Sequence, residues 1–232
     1  MASKKVLVIA PHMDDEVLGC GGAIIRHLQT GEHVSVCFMA NRAYNHQYDT
    51  DLITREKLAS YKAKEILGYQ EAIFLDLPDE QLDRSQIDLI VPLEKVINQV
   101  RPDLVYFPHR GDLNQDHRAV FSAVLVACRP QSSHLVAGLI VYEVPSSTDQ
   151  IPAMSSWPFK PNYYVEINNK VLSQKIAALE SYHAELRSFP HPRSSEGISI
   201  LAKKRGIEVG LKAAEAFMIL RALWQDLASS KS

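Results

Sequence analysis

The densest reactive chemistry in this 232-residue chain lies in two short clusters. The first is "PHMDDE", residues 11–16, where His12, Asp14, Asp15 and Glu16 follow an apolar run that stops at Pro11. The second is "HRGDLNQDH", residues 109–117, which ends in the pair Asp116-His117. Imidazoles and carboxylates are a common ligand set for divalent transition metals. His12 and Asp15, three residues apart at a strand-to-helix turn, can face one point. With His117 they make two imidazoles and one carboxylate, the donor set of a catalytic zinc site that keeps positions open for water and substrate. Asp14 then remains unassigned beside that site, where a general base for the water is needed. A simpler reading is that Asp14 or Asp15 is a helix N-cap, since a helix N-terminus favours acids. One cap serves one helix, however, and adjacent acids repel, so three acids and a histidine in five residues exceed what capping requires.

For the clusters to meet, the chain must bring residue 12 and residue 117 together. Hydrophobic periodicity supplies the elements. Strands are read at residues 6–10, 33–40, 72–75, 103–108, 135–144 and 163–167, and helices at 17–29, 51–67, 85–100, from the second cluster through Cys128, at 170–186 and at 195–204. Gly31 and Gly68 close the first two helices. Residues 213–219 read as a last strand or a buried helix. Residues 145–162, "PSSTDQIPAMSSWPFKPN", form a long Pro/Ser-rich loop, a candidate lid over a substrate. Strands alternating with helices predict βαβ units and a parallel, doubly wound sheet. In the common order 3-2-1-4-5, the first and fourth strands are neighbours at the topological switch point, and ligands bind beyond their carboxyl ends. Both polar clusters follow those two strands. Gly19, Gly21 and Gly22 fit neither a dinucleotide fingerprint nor a P-loop and are read as close helix–sheet packing.

Composition narrows the function classes. A net charge of -2 gives no basic field for nucleic acid. No apolar stretch approaches the roughly 20 residues that span a bilayer. The N-terminus lacks the long apolar core of a secretory signal. Cys20, Cys37 and Cys128 stand singly in apolar segments, which fits reduced thiols better than a disulfide framework. The expectation is a cytoplasmic protein of one domain over residues 1–232, with homo-oligomerisation left open.

"PHMDDE" followed by "VLGCGG" resembles the first signature of the LmbE/PIG-L family of N-acetylglucosaminyl deacetylases. "HRGDLNQDHRAV" is similar to that family's second motif, and "PHPRSSEGISILAKKRGIEVGLKAAEAFMILR" to its C-terminal segment. The resemblance implies a Rossmann-like α/β fold, a mostly parallel sheet with helices on both faces, and zinc-dependent removal of an N-acetyl group from an amino-sugar conjugate. Another divalent metal could replace zinc. The family's metal ligands map to His12, Asp15 and His117, its general base to Asp14, and an acid that orients a catalytic histidine to Asp116. Many members carry a histidine where this chain has Asn114, and an amide can donate to an oxyanion but cannot deliver a proton at neutral pH. Protonation of the leaving amine then falls to Asp14 or to another histidine, His109 ahead of His191. Arg55 resembles a substrate-contacting arginine of the first long helix. Arg110 and Arg193 could grip a phosphate or carboxylate, and Asp79 could bond sugar hydroxyls. Tyr44, His46 and Tyr48 could stack on a sugar, or simply belong to an exposed loop. The rival readings are an amidohydrolase acting on a thiol conjugate or other non-sugar amide, a non-catalytic ligand-binding module, and, distantly, a dehydrogenase.

Overall fold

The computed structural model describes residues 3–43, 46–152 and 155–224, so Tyr44 lies outside the described residues. Seven strands form one sheet: β1 (Lys5–Ala10), β2 (His33–Asn41), β3 (Glu71–Pro78), β4 (Leu104–Pro108), β5 (Gly138–Tyr142), β6 (Tyr163–Glu166) and β7 (Ala214–Ala222), in the order β3-β2-β1-β4-β5-β7-β6. The first five strands are parallel, and β7 runs antiparallel to both β5 and β6. Six helices cover the sheet: α1 (Asp15–Gln29), α2 (Thr50–Leu67), α3 (Gln86–Val100), α4 (Gln115–Ala127), α5 (Asn169–Leu179) and α6 (Ser195–Ile207). β1 and β4 are neighbours, so the crevice beyond their carboxyl ends is the switch point that the strand pattern predicts.

The central strand shows why both faces need helices. Val6, Val8 and Ala10 pack with residues of α1, α2, α5 and α6, while Leu7 and Ile9 pack with α3 and α4. Alternation at period two sends successive side chains to opposite faces, and a strand apolar at every position is covered on both.

Several boundaries differ from those read in the sequence. α1 begins at Asp15, which takes Asp15 and Glu16 into its first turn. The segment at 213–219 is part of a strand, β7. The helix expected to reach residue 186 stops at Leu179. Beyond that end, Tyr182 is fully buried and its hydroxyl donates to Glu16 Oε1 at 2.6 Å.

The glycines of α1 set how closely the helix lies on the sheet. A Cβ at Gly19 would sit 2.3 Å from Cδ2 of Tyr142, and one at Gly22 would sit 2.6 Å from Cγ2 of Ile167. The Tyr142 ring cannot swing aside freely, because its hydroxyl donates to the Ile9 carbonyl at 2.8 Å. Gly19→Ala should therefore destabilise the fold by about 1–3 kcal/mol, the usual cost of overpacking. Thermal unfolding checks this; an unchanged Tm would mean that α1 can lift off β5 without penalty.

Candidate metal centre and its proton acceptor

The turn between β1 and α1 places four ionisable side chains within a pocket that excludes water. His12, Asp14, Asp15 and Glu16 are each at most 2% exposed. Asp14 occupies the N-cap position of α1, yet its side chain makes no capping hydrogen bond. The capping explanation therefore does not account for it. Its backbone φ of 128° is one that L-residues rarely adopt. The N–H of Asp14 donates instead to Glu16 Oε2 at 3.1 Å, and Tyr182 holds the other oxygen of that carboxylate. Asp15 Oδ2 accepts the His12 N–H at 2.9 Å, which turns this carboxylate back toward the His12 ring.

The second cluster meets the first across the crevice. His117, in the first turn of α4, puts Nε2 at 3.3 Å from His12 Nδ1 and 3.2 Å from Asp15 Oδ2. His12 Nδ1 is 3.3 Å from the same Asp15 oxygen. The far nitrogens of both rings face carboxylates. His12 Nε2 lies 2.8 Å from Asp79 Oδ1 and 3.4 Å from Asp116 Oδ2, and His117 Nδ1 lies 3.2 Å from Asp112 Oδ2. With its proton on the far nitrogen, each ring would present a lone pair at the converging nitrogen. Two imidazole lone pairs and a carboxylate oxygen then face one another in a dry pocket. That donor set fits a divalent ion, with the outer acids orienting the ligands. His12, Asp15 and His117 can hold the ion together.

The acids around the two rings favour positive charge there, as a proton on each ring or as a bound ion. Burial disfavours charge on His117, but Asp15 and Asp112 outweigh it and hold its pKa at about 9. His12 is also raised well above the ordinary value, because Asp116, Asp15 and Asp79 overcome the effect of burial. The site thus demands positive charge. Burial pushes the Asp14 carboxyl up to about 7 against the pull of Arg193 and Arg42. Burial likewise pushes Glu16 up to about 8, with the Tyr182 hydrogen bond opposing.

The remaining predicted residues are placed as follows. Asp116 braces the loop after β3, accepting N–H groups of Glu80 at 2.7 Å and Leu82 at 3.1 Å. Asp79 is buried rather than presented to a sugar: besides its contact with His12, it accepts N–H groups of Ala43 and Glu80. Asn114 is the N-cap of α4, its amide oxygen accepting the Asp116 N–H at 2.8 Å. His109 is buried, its Nδ1 accepting the Gly111 N–H at 3.1 Å and its ring edge-on to Phe159. Arg110 is exposed and stacks its guanidinium 4.0 Å above the Trp157 ring, in the long Pro/Ser-rich loop. Arg193 reaches Asp14 itself, Nη1 lying 2.8 Å from Oδ2. His191 Nδ1 accepts the Arg193 N–H. Arg55 stays on the exposed face of α2, where its Nε donates to the Asp51 carbonyl, so the structure does not join it to the cluster. His46 pairs with Glu80, and Tyr48 donates to the Asp79 carbonyl.

Sequence reasoning missed Asp112. It is held by the hydroxyls of Ser147 and Thr148 and by the Asn114 N–H, and it faces His117. An acid five residues before His117 in the same cluster was an available signal. The partners Arg42, Ser146, Tyr182 and Glu185 carried none, since each reaches the site only through the fold.

Comparison with known proteins matches this arrangement. The family described as GlcNAc-PI de-N-acetylase, PIG-L, matches residues 7–128, which include all three converging donors and Asp14. The uncharacterized deacetylase YaiS of Escherichia coli K12 is 31% identical over 185 residues, 77% of this chain and 90% of that protein. The diacetylchitobiose deacetylase of Thermococcus kodakarensis is 27% identical over 201 residues, 78% of this chain and 70% of that protein. In fold, the N,N'-diacetylchitobiose deacetylase of Pyrococcus horikoshii superposes with a TM-score of 0.76 at 21% identity, covering 99% of this chain and 88% of that one. With the two clusters brought together at the switch point of the same fold, the chain belongs to the PIG-L (LmbE-like) family of de-N-acetylases.

Proposed function

We propose that this protein is a zinc-dependent hydrolase that removes the N-acetyl group from an N-acetylglucosamine-type sugar or glycoconjugate. The observation that carries the reading is the convergence of His12 Nδ1, Asp15 Oδ2 and His117 Nε2 beside Asp14, whose Oδ1 is buried with no hydrogen-bond partner among the described residues. Two imidazoles and one carboxylate suit zinc better than magnesium or calcium, which take oxygen donors. An ion held by these three residues supplies Lewis acidity, lowering the pKa of water and stabilising negative charge on a carbonyl oxygen.

The chain's own residues supply the rest. Asp14 Oδ1 accepts a proton from the attacking water as its oxygen bonds to the amide carbon. His109 accepts the Gly111 N–H at Nδ1, which puts its proton on Nε2 and makes it a neutral donor for the carbonyl oxygen as charge develops there. The C–N bond then breaks, and the proton held by Asp14 passes to the leaving nitrogen. Water and amide become acetate and a free amine. Asn114 caps α4 through its amide oxygen, which leaves the amide NH2 as the group that would donate to the oxyanion.

No helix among the described residues is long and apolar enough to cross a membrane. The three cysteines are buried free thiols, which supports a reducing, cytoplasmic location. The substrate is a small amino-sugar conjugate.

The experiment is acetate release across a panel of N-acetylglucosamine derivatives, with zinc removed and restored. His12→Ala and His117→Ala should lose bound metal and acetate release together, read by elemental analysis and by the same assay. Retention of stoichiometric metal in both variants would place the ion elsewhere. Asp14→Asn should keep its metal and lose roughly 10²–10⁴-fold in kcat, the typical contribution of positioned proton transfer. If Asp14→Asn sheds the metal while Asp15→Asn keeps it, the two adjacent acids have the opposite roles.

A further inference from the structure

Arg193 reaches Asp14 across 179 residues of sequence, from a segment outside the part of the chain that the family description matches. Its contacts are unlike those of an arginine awaiting a substrate. Nη1 lies 2.8 Å from Asp14 Oδ2 and 3.0 Å from Glu185 Oε2, which commits both of its N–H groups. Nε donates to Ser146 Oγ at 2.7 Å. Arg42 Nη2 lies 2.8 Å from the same Glu185 oxygen and fixes that carboxylate from the other side. Apart from its contact with Asp14, the guanidinium is therefore held at two points, Glu185 and Ser146. Asp14 and Ser146 both have positive φ, 128° and 68°. Backbone held in sparsely populated conformations recurs where side chains must be aimed.

We infer that Arg193 is a positioning residue that clamps Oδ2 of Asp14, leaving Oδ1 as the oxygen that accepts the proton of the attacking water. The inference rests on the hydrolase reading above. A carboxylate presents two equivalent oxygens and rotates about its last torsion. A guanidinium held in place by Glu185 and Ser146 whose Nη1 binds one oxygen restricts that rotation and defines the direction of the other. Glu16 fixes the Asp14 backbone through its N–H, and Arg193 fixes the carboxylate, so both ends of the residue are set. The C-terminal part of the chain thus orients a base that the N-terminal part supplies. This replaces the expectation that Arg193 grips an anionic group on the substrate.

The test compares Arg193→Gln, Arg193→Lys, Asp14→Asn and the Arg193→Gln/Asp14→Asn double variant in the zinc-loaded full chain. The probes are N,N'-diacetylchitobiose as a neutral substrate and N-acetylglucosamine 6-phosphate as an anionic one. Arg193→Gln should lower kcat by roughly 10²-fold on both, as misplacement of a catalytic group does, with KM and metal content near wild type. Arg193→Lys should recover part of that loss. The double variant should be no slower than Asp14→Asn alone, because the clamp acts only through Asp14. As a readout independent of activity, Arg193→Gln should lower the Tm of the wild-type background by roughly 2–4 °C more than that of the Asp14→Asn background. A rise in KM confined to the anionic substrate would overturn the role and make Arg193 a substrate grip. Multiplicative losses in the double variant would overturn it too, as would wild-type kcat in Arg193→Gln while Asp14→Asn is impaired. Failure of the wild-type protein to release acetate from any sugar would overturn the hydrolase reading, and the positioning role with it.

Discussion

His12 Nδ1 and His117 Nε2, 3.3 Å apart, form the contact on which the site depends. Both rings are buried. Four carboxylates, Asp15, Asp79, Asp112 and Asp116, surround the two rings. Buried acids without compensating positive charge are costly, so the arrangement needs a cation at its centre. The fold is organised to hold the acids in place. Asp79 ties the loop after β3 to Ala43 beyond β2, Asp116 ties the loop after β3 to the start of α4, and Asp112 ties the loop after β4 to Ser147 and Thr148 beyond β5.

The parallel sheet makes this gathering possible. Each parallel strand delivers the chain to the same edge, so the segments after β1 through β5 all contribute to one crevice. β1 brings His12, Asp14 and Asp15; the segments after β2 and β3 bring Arg42 and Asp79; those after β4 and β5 bring Asp112, His117 and Ser146. The antiparallel β7 turns the C-terminal part of the chain back onto the sheet, where Glu215 accepts the Gly22 and Ala23 N–H groups of α1 at 2.7 Å. The helix whose N-terminus carries the site is thereby held at its middle as well.

The legible parts of the molecule were the local ones. Apolar runs ending at Pro11 and Pro108 marked β1 and β4, and their adjacency placed both clusters at one crevice. His12, Asp14, Asp15 and His117 stood out because their types and spacing mean the same in the sequence as in the fold. Asp79 did not, since an acid in "LPDEQL" carries no sign that it will be buried against His12. Arg193 looked like a ligand for an anionic substrate, because nothing near it in sequence shows the carboxylates of Asp14 and Glu185. The helix read through residue 186 stops at Leu179 although its apolar pattern continues. Asn114, read through a family motif, also occupies the N-cap of α4.

The central claim is that His12, Asp15 and His117 hold one divalent ion between them, and zinc K-edge absorption on the stoichiometrically loaded protein tests it most directly. The predicted spectrum shows one ion per chain with two imidazole nitrogens at about 2.0–2.1 Å, oxygen ligands at about 2.0–2.2 Å and no sulfur. His12→Ala should reduce the imidazole count to one or abolish binding. An all-oxygen shell, or a two-imidazole shell unchanged in His12→Ala, would contradict it.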